Sequence, residues 1–530
     1  MRLSKIKLSD ISNNFSYYEF KSEDKKYEGS FIEIQKKDNE VSIKVDIFSK
    51  IPFYYFVNNK TIYGNSSFVE LVKELKKKKF LLSLDYVSIA SFMKNNCFME
   101  NSTYYNEILR VPPGSKLNFN YKNGHKTIHQ YYKYDTKTLK ESNVDLIAND
   151  YVEILKSNLQ NYIHQNNFKK IGISLTGGFD SRMILSLLND IKIEPIAFHY
   201  GHKDSDDFKI SKKISQEYKL ENDIIEWKNL RYFKSQSQNI LLESDFMLPL
   251  HHCHMYESIF RQQKKVDTVF YGHFMDMQMQ GHFYNKSFDA KTSQVEISNS
   301  LKQMWCGKES AFSVLNMEMF QSIFSRDIVE NYKNNISDMV ERYSYLNSDK
   351  QYEISYLLNH GTRRAIAQCQ LGSKHLDYHI PALHKNIFQF VWNLSTKIKK
   401  NRNLQKVIFK TLFSKATDLD FVLDNYKITN LKKDDFLNKG VKKFLDLLKH
   451  PRIKILNPYF DFWGKEYHKF DNYKYWMIKK IIENQNLFDE KIIDKNFFSN
   501  LNKSYSKFPF AFISTLFTIS QFLDFSNKLD

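Results

Sequence analysis

The sequence predicts an α/β protein in which an antiparallel α+β unit precedes a parallel-sheet domain with a helical C-terminal part. Three patterns along the chain support this fold class. Short β-rich runs alternate with polar turns between residues 29 and 63, strands alternate with helices after residue 143, and helical periodicity dominates from 300 to 530. We therefore expect two domains, over residues 1–135 and 143–530.

The first domain is predicted from four short runs rich in β-branched and aromatic residues, with polar turns between them. These runs are Ser30–Ile34, Val41–Val45, Pro52–Val57 and Lys60–Tyr63. A helix is expected over 67–77, followed by a turn at 112–114 and two more strands that end near Tyr132. This order indicates antiparallel sheet with a helix packed on it.

The second domain begins with a predicted helix that runs through Ile163 and precedes a buried strand over 170–175. A glycine-containing turn then leads into a helix over 181–188. A second strand, Pro195–Tyr200, is followed by a helix over 206–219. Strands that alternate with helices imply a parallel sheet covered on both faces.

Composition excludes several classes of protein. Hydrophobic residues make up 42% and charged residues 26% of the 530, too apolar for a disordered chain and too charged for a membrane-embedded one. No signal peptide is evident, so we expect a cytoplasmic protein with no membrane partner. The apolar stretch over 508–523 is interrupted by polar residues and predicts a buried helix. The net charge of +18 arises from Lys spread along the whole chain, which favours a compositional bias over a binding face.

Cysteine and histidine spacing gives little support for a metal or disulfide site. The four cysteines, Cys97, Cys253, Cys306 and Cys369, contain no CxxC pair and are expected to be buried thiols. The run 251–254 offers three His and one Cys, but adjacent residues point in different directions and rarely converge on one ion. We do not expect a metal there.

The segment 174–182 lies where an apolar strand gives way to a helix, and it has the character of a phosphate-binding turn. Backbone N–H groups at a helix N-terminus attract anions, and the macrodipole strengthens that attraction. Gly177 and Gly178 let the backbone approach a phosphate closely. Thr176 and Ser181 supply hydroxyl donors, and Asp180 could hold the Mg²⁺ that accompanies ATP. The Lys of a Walker motif is absent.

This segment resembles the pyrophosphate-binding loop, SGGxDS, of PP-loop ATP pyrophosphatases. Those enzymes cleave ATP between its α and β phosphates. The chain as a whole resembles the asparagine synthetase-like family over roughly residues 25–415. In the first domain the resemblance rests on segments 52–55, 63–67 and 109–114 and on the pair Tyr131–Tyr132. It implies that this domain is a degenerate glutaminase-like (Ntn-hydrolase-like) domain.

Two further segments resemble motifs of the synthetase domain. Val269–Asp276, with Gly281, resembles SGxGxDE, which implies that Asp276 joins Asp180 in carrying Mg²⁺. The segment 403–410 resembles one with a Lys on a helix start, which implies that Lys406 stabilises charge on the adenylate. We expect adenine to contact the backbone near Leu175 and Tyr200, because both lie at strand ends. The candidate ATP-binding residues are Ser174, Leu175, Thr176, Gly177, Gly178, Asp180, Ser181, Tyr200 and Gly272.

The chain also departs from the family at informative positions. Residue 2 is Arg where glutamine-dependent members have the nucleophilic Cys, and no cysteine precedes Cys97, so we expect neither glutaminase activity nor an ammonia tunnel. His273 stands where asparagine synthetases have Glu and β-lactam synthetases have Tyr, which makes it a candidate general base. His379 and His384 replace the Arg and Asp of the motif ExRxPFLD, so the roles of those two residues are not transferred.

The resemblance implies an ATP- and Mg²⁺-dependent amide ligase that works through an acyl-adenylate. The absence of a glutaminase and the changed base position favour an amine supplied by the substrate itself, as in β-lactam synthetases, which close a small ring, and in lasso peptide cyclases, which join a peptide N-terminus to an Asp or Glu side chain as a macrolactam. The length, the degenerate first domain and the departures from the family favour the lasso peptide cyclases. A partner protease or leader-peptide-binding protein would accompany that role. Ammonia-dependent amidation of an amino acid or sugar acid, and a non-catalytic binding module, stay open. A nucleic-acid partner is not expected, because the ATP pyrophosphatases that modify transfer RNA lack this N-terminal domain.

Overall fold

A computed structural model describes residues 6–10, 15–21, 27–135, 143–201, 203, 205–226, 231–279, 293–307, 313–399, 402–413, 421–423, 426–428, 471–490, 493, 495–503 and 508–530. The fold is mixed α/β, with antiparallel sheets at the N-terminus and a parallel sheet with helices after it, which confirms the predicted fold class. The boundary that we propose between the domains falls in 136–142, and Gly281 of the SGxGxDE-like motif also lies outside the described residues.

Two antiparallel sheets and two helices form the N-terminal part. The sheets have the orders β1-β2-β3-β7-β8 and β5-β4-β6. The strands are β1 Phe15–Lys21, β2 Tyr27–Lys37, β3 Glu40–Val45, β4 Tyr54–Asn58, β5 Thr61–Asn65, β6 Ile108–Arg110, β7 Ser115–Asn120 and β8 Lys126–Gln130, and the helices are α1 Phe68–Lys77 and α2 Tyr86–Asn95. Alternation dictates the buried face: Ile34 pairs with Ile43 and Ile32 with Val45, and all four side chains are buried.

The parallel sheet, which follows in the chain, contains five described strands in the order β11-β10-β9-β12-β13. They are β9 Ile171–Ser174, β10 Ile196–Gly201, β11 Asn222–Glu226, β12 Thr268–Phe270 and β13 Asp377–His379. The chain runs outward from β9 in one direction and then returns to its other side. The strand order therefore reverses between β9 and β12, and parallel sheets bind ligands at the carboxyl ends of such neighbouring strands.

Helices cover the sheet and make up most of the C-terminal part. The first eight are α3 Val144–Asn166, α4 Phe179–Asp190, α5 Asp206–Glu217, α6 Arg231–Glu243, α7 Tyr256–Lys265, α8 Met275–Met279, α9 Gln294–Cys306 and α10 Met317–Ile323. The next are α11 Arg326–Arg342, α12 Ser348–Tyr356, α13 Ala367–Ser373, α14 Lys385–Trp392, α15 Thr396–Lys399 and α16 Asn403–Leu412. After the strands β14 Phe421–Leu423 and β15 Tyr426–Ile428 come α17 Asp471–Glu483, α18 Lys495–Lys503 and α19 Phe510–Asn527.

One stretch of helix is unusual. Residues Leu357–Ile366, between α12 and α13, form a π-helix, so that 348–373 reads as one long helix with a wide-turned middle. Single π-turns are uncommon and often occur at functional sites. This π-helical stretch spans ten residues, which is much longer than a single π-turn.

Buried polar contacts join the N-terminal part to the parallel sheet. Lys50 Nζ donates to the carbonyl oxygen of Tyr378 on β13, at 2.6 Å. Asp245 accepts from the hydroxyl of Ser67, at 2.5 Å, and from the backbone N–H of Val69, at 3.2 Å, at the start of α1. These groups are buried and mutually satisfied, so the contact has the character of an interior rather than of a loose interface.

The predicted buried helix near the C-terminus is confirmed as α19. Its Thr515 hydroxyl donates to Asn96 Oδ1 at 2.7 Å, and Thr518 accepts from the backbone N–H of Leu250 at 3.0 Å. The polar residues that interrupt the apolar run thus bond inside the protein. Among the described residues, none of the helices has both the length and the apolar character needed to cross a bilayer.

Candidate active site

The phosphate-binding turn lies at the carboxyl end of β9, where Ser174 ends the strand and Gly178 is the N-cap of α4. No side chain caps this helix, so its first-turn N–H groups remain directed at the space above the sheet. The geometry is that of an anion site at a helix N-terminus. This placement is the one that the sequence predicts for 174–181.

Two hydroxyl groups hold the turn in shape. Ser181 Oγ accepts from the backbone N–H of Thr176 at 3.1 Å, and the two hydroxyl oxygens lie 2.9 Å apart. Thr176 Oγ1 in turn accepts from the N–H of Gly178 at 3.3 Å. The two hydroxyl groups that we expect to bind phosphate thus also form the hydrogen bonds that hold the turn together.

Asp207, a residue that sequence reasoning missed, closes one side of the turn. Its Oδ1 accepts from the N–H of Gly177 at 2.7 Å. Burial raises the pKa of Asp207 to about 6, although the Gly177 N–H and the charge of Arg182 lower it. A phosphate oxygen that bound the Gly177 N–H would take the place of this carboxylate.

The two residues predicted to bind the metal, Asp180 and Asp276, are in contact at this edge of the sheet. Asp180 Oδ2 accepts from the backbone N–H of Asp276 at 3.1 Å. Burial, and then the negative charge of Asp276, raise the pKa of Asp180 well above its ordinary value, while the charge of Arg402 opposes the rise. Two hard oxygen donors with unfavourable mutual charge fit Mg²⁺, which is usually held by one or two carboxylates together with substrate phosphates.

The catalytic loop, defined as residues 271–276 and including the first turn of α8, is pressed against the start of α4. A Cβ atom added at Gly272 would lie 2.7 Å from the backbone nitrogen of Ser181 and 2.8 Å from the carbonyl carbon of Asp180. Only a glycine permits that approach. Gly272 therefore sets the distance between the two carboxylate-bearing segments.

The other face of this loop is packed against two different parts of the chain through Phe274. Phe274 has a left-handed backbone with φ of 75°, a conformation that costs a non-glycine residue about 1–2 kcal/mol. Its ring lies edge-on to Phe48 of the N-terminal part, with centroids 4.9 Å apart. A Cβ atom at Gly361, in the π-helix, would lie 2.5 Å from the Phe274 ring. The surrounding packing thus holds an uncommon backbone conformation at the candidate site.

His273, the candidate general base, lies three residues before Asp276 on the same loop. Burial lowers its pKa, whereas the charge of Asp276 and a hydrogen bond with Gln368 raise it in part. The net lowering favours a neutral imidazole at pH 7, which is the form that can accept a proton. The structure therefore gives His273 a protonation state suited to the role expected of it.

Helix α16 approaches the same carboxylate from the opposite side. Gln405 Nε2 donates to Asp180 Oδ1 at 2.7 Å, and Arg402, at the N-cap of α16, contributes positive charge near Asp180. Lys406 follows Gln405 directly and is half-buried. The segment predicted to supply Lys406 is thus brought to the phosphate turn. Gln405 and Arg402 are two neighbours of Asp180 that no sequence motif indicates.

The proposed adenine side of the site is built around Tyr200. Its phenol forms a hydrogen bond with the side chain of Ser174, and burial raises its pKa to about 12. The backbone N–H of Leu175 donates to the carbonyl oxygen of Phe198 at 3.1 Å, which extends the β9–β10 pairing into the turn. Ser174, Leu175 and Tyr200 therefore lie together at adjacent strand ends.

The two histidines that replace the family's Arg and Asp form a buried bridge. Asn158 on α3 contacts His384 Nδ1 at 2.8 Å and His379 Nε2 at 3.2 Å. The His379 ring also stacks on Tyr162, with centroids 3.7 Å apart. Both histidines join α3 to the end of the sheet, which is a structural role.

Neither the first cysteine nor the histidine run offers a separate reactive centre. Cys97 is fully buried, and burial raises the pKa of its thiol to about 11, so it is not poised as a nucleophile. In the described part of the chain, no three His, Cys, Asp or Glu side chains converge in a way that could hold a metal ion. Among the described residues, the candidate reactive and metal-binding groups lie at the carboxyl-end edge of the parallel sheet.

Comparison with known families agrees with this geometry. Residues 163–421 match the family model described as asparagine synthase. This region is asparagine synthase-like. The match contains the phosphate turn, the loop with Asp276, the π-helix and Lys406, and it supports ATP-dependent amidation in general. No curated protein matches the chain.

Proposed function

We propose that the protein activates a carboxylate as an acyl-adenylate and closes an amide bond with an amine of the same peptide substrate, which forms a macrolactam. The observation that carries the proposal is His273. His273 lies three residues before Asp276 in the asparagine synthase-like region, and burial lowers its pKa, which suits an acceptor for the proton of an attacking amine.

ATP binding follows from the strand ends. The polyphosphate lies on the N-terminus of α4, with Gly177, Gly178, Thr176 and Ser181 around it. Mg²⁺ held by Asp180 and Asp276 would neutralise charge on the departing pyrophosphate. Adenine occupies the side near Leu175 and Tyr200.

The reaction has two steps. A carboxylate oxygen of the substrate attacks the α phosphorus, and the bond from that phosphorus to the bridging oxygen breaks, so that pyrophosphate leaves. The amine nitrogen then attacks the acyl carbon, His273 accepts the proton that the nitrogen loses, and AMP departs with the acyl oxygen. Lys406 stabilises the negative oxygen of the tetrahedral intermediate, an interaction that can contribute about 3 kcal/mol.

Ammonia-dependent amidation is the second candidate, and the family match itself favours it. The description asparagine synthase names a reaction in which a free acid gains an amide. The two candidates share the adenylation step and the same carboxylates. They differ only in whether the amine belongs to the substrate.

The experiment that tests the proposal compares two linear peptides that contain one Glu side chain as their only carboxylate. One peptide has a free N-terminus and the other is N-acetylated. With Mg²⁺ and ATP, we expect AMP, pyrophosphate and a product lighter by one water from the first peptide only. Asp180→Ala should abolish AMP formation, whereas Asp190→Ala, an exposed residue at the end of the same helix, should not.

The outcomes separate the candidates. AMP formation that requires ammonium and a free amino acid or sugar acid would replace macrolactam formation with amidation. No AMP from either peptide, or from ammonium with a panel of acids, would contradict the ligase assignment and favour a binding module.

A second experiment isolates the role of His273. His273→Asn should keep ATP–pyrophosphate exchange, because adenylation does not use the base, and should slow amide formation by about 10²–10⁴-fold. His164→Asn, at an exposed position near the end of α3, is the matched control. Equal loss of exchange and of amide formation in His273→Asn would mean that the imidazole serves the nucleotide instead.

A further inference from the structure

Three charged side chains that the proposed reaction does not use converge in the protein interior. Lys350 is 4%, Glu353 3% and Lys399 0% exposed. Lys350 Nζ lies 3.2 Å from Glu353 Oε2, and Lys399 Nζ donates to Glu353 Oε1. Each oxygen of the one carboxylate therefore pairs with a different lysine. We call these three residues the buried charge cluster.

The buried charge cluster joins three helices. Lys350 and Glu353 lie on α12, and Lys399 is the last residue of α15. Lys350 Nζ also donates to the carbonyl oxygen of Trp392, at the end of α14, and lies 4.3 Å from the centre of the Trp392 ring. The pair between Glu353 and Lys399 is thus a direct link between α12 and α15.

A buried ion pair is a poor source of stability. The transfer of two charges out of water is costly, and apolar residues of similar volume often serve the folded state equally well. An ion pair differs from apolar packing because it is directional, so that its groups fit one arrangement of the helices that carry them. The cluster is therefore better explained by the arrangement that it selects than by the stability that it adds.

The helix that follows α15 reaches the metal-binding residue Asp180. This helix, α16, begins at Asn403 and packs against α15. It carries the buried residue Gln405, whose amide donates to Asp180 Oδ1 at 2.7 Å. The start of α16 is thus in contact with α15 on one side and with Asp180 on the other.

The helix at the other end of the link supports the catalytic loop. Helix α12 continues into the π-helix, in which a Cβ atom at Gly361 would lie 2.5 Å from the ring of Phe274. The same loop carries Asp276, whose backbone N–H donates to Asp180 Oδ2 at 3.1 Å. Asp180 therefore receives one hydrogen bond from α16 and one from the catalytic loop, and the cluster ties together the helices behind both.

We propose that the buried charge cluster positions Asp180 for Mg²⁺, through α16 and Gln405. The inference deepens the proposed ATP-dependent function and rests on it. A hydrogen bond to each oxygen fixes the plane of the Asp180 carboxylate, and the loss of a partner that orients a metal ligand typically lowers metal affinity by about 10–100-fold. Glu353 and Lys399 are positioning residues, because they act on Asp180 only through other residues.

Lys399→Met is the variant that tests the cluster. It removes the link between α12 and α15, and Glu353 still pairs with Lys350, so that no buried carboxylate is left without a cation. The matched control is Glu330→Gln, which removes an exposed ion pair with Lys333 on α11 that has the same three-residue spacing. If Lys399→Met does not fold, Lys399→Gln removes the charge and keeps a hydrogen-bond donor, and it should show the same changes to a smaller extent.

Calorimetry measures binding of the α,β-methylene analogue of ATP, with saturating Mg²⁺ and again with EDTA. We expect Lys399→Met to weaken binding about tenfold with Mg²⁺ and to leave it unchanged with EDTA, because the effect passes through a metal-binding residue. A general loosening of the fold would weaken both. Gln405→Ala should lose at least as much affinity with Mg²⁺. Addition of Lys399→Met to Gln405→Ala should then change the affinity by less than about twofold, since both substitutions act through one contact.

Hydrogen exchange of the protein without ligand separates this inference from the proposed function. Backbone amides of 403–412 should exchange about tenfold faster in Lys399→Met than in the unmodified protein or in Glu330→Gln, and those of α4 should not change. Unchanged exchange in 403–412, unchanged affinity with Mg²⁺, or an equal loss of affinity with EDTA would overturn the inference. An unmodified protein that binds no ATP analogue would refute the proposed function, and the exchange rates would then decide alone whether the cluster anchors α16.

Discussion

Substitution Gly272→Ala tests whether the approach of the catalytic loop to α4 sets the geometry of the site. The added Cβ would lie 2.7 Å from Ser181 N, about 0.7 Å short of the 3.4 Å at which ordinary contact begins. The obstructing atoms belong to the backbone of a helix start, so they cannot rotate away. The loop itself must move, and Asp276 moves with it relative to Asp180.

We expect two separate consequences of this displacement. Overpacking of a buried contact costs about 1–3 kcal/mol in the free energy of unfolding. Misplacement of a reacting group by a comparable distance reduces turnover by as much as about 100-fold. Thermal unfolding and AMP release from the free-amine peptide measure the two effects on the same preparation.

Gly178→Ala is the matched control for stability. A Cβ there would meet only Thr176 Oγ1, at 3.5 Å, and the backbone φ of −81° suits any residue. Gly178→Ala should therefore unfold at nearly the original temperature in the absence of ligand. A Gly272→Ala protein with unchanged melting temperature and unchanged AMP release would refute the reasoning about the loop.

Two more predictions concern charge. Asp180→Asn should abolish AMP formation, because it removes one of the two carboxylates that would hold Mg²⁺; AMP formation at the unmodified rate would contradict this. Acid should destabilise the protein. Burial lowers the pKa values of His199, His251 and His254 to about 4, 3 and 4. The unfolded chain binds protons at these sites below pH 6.5 and the folded protein does not, so unfolding becomes easier as the pH falls, by about 1 kcal/mol for each histidine at pH 5.5. Thermal unfolding at pH 7.5 and 5.5 measures the effect. His199→Asn should reduce the difference between the two melting temperatures, because it removes one of the three histidines. A melting temperature independent of pH in the unmodified protein would refute the prediction.

The parts of the fold that could be predicted are those encoded locally. The strand that ends at Ser174, the glycine turn and the helix with Asp180 are contiguous in sequence, and their order alone places an anion site. The four alternating runs near the N-terminus likewise predict antiparallel sheet, which contains β2, β3, β4 and β5. By contrast, the short elements α2 and β6 were not predicted, because their positions depend on the packing of distant segments.

The rest of the site depends on contacts between residues far apart in the chain. Gln405 reaches Asp180 across 225 positions, and Asp207 reaches Gly177 across 30. Only the fold shows that Gly361 of the π-helix lies against the ring of Phe274.

The contact between Phe48 and Phe274 indicates whether the chain could be shortened from its N-terminus without loss of activity. The first domain has no reaction of its own in our proposal, which would suggest that it is dispensable. Its Phe48 ring nevertheless forms one of the two surfaces that hold Phe274 in a left-handed backbone conformation. A shortened chain that began at the parallel sheet would leave that loop supported from one side only. The N-terminal part thus supports the backbone conformation of the loop at the candidate site.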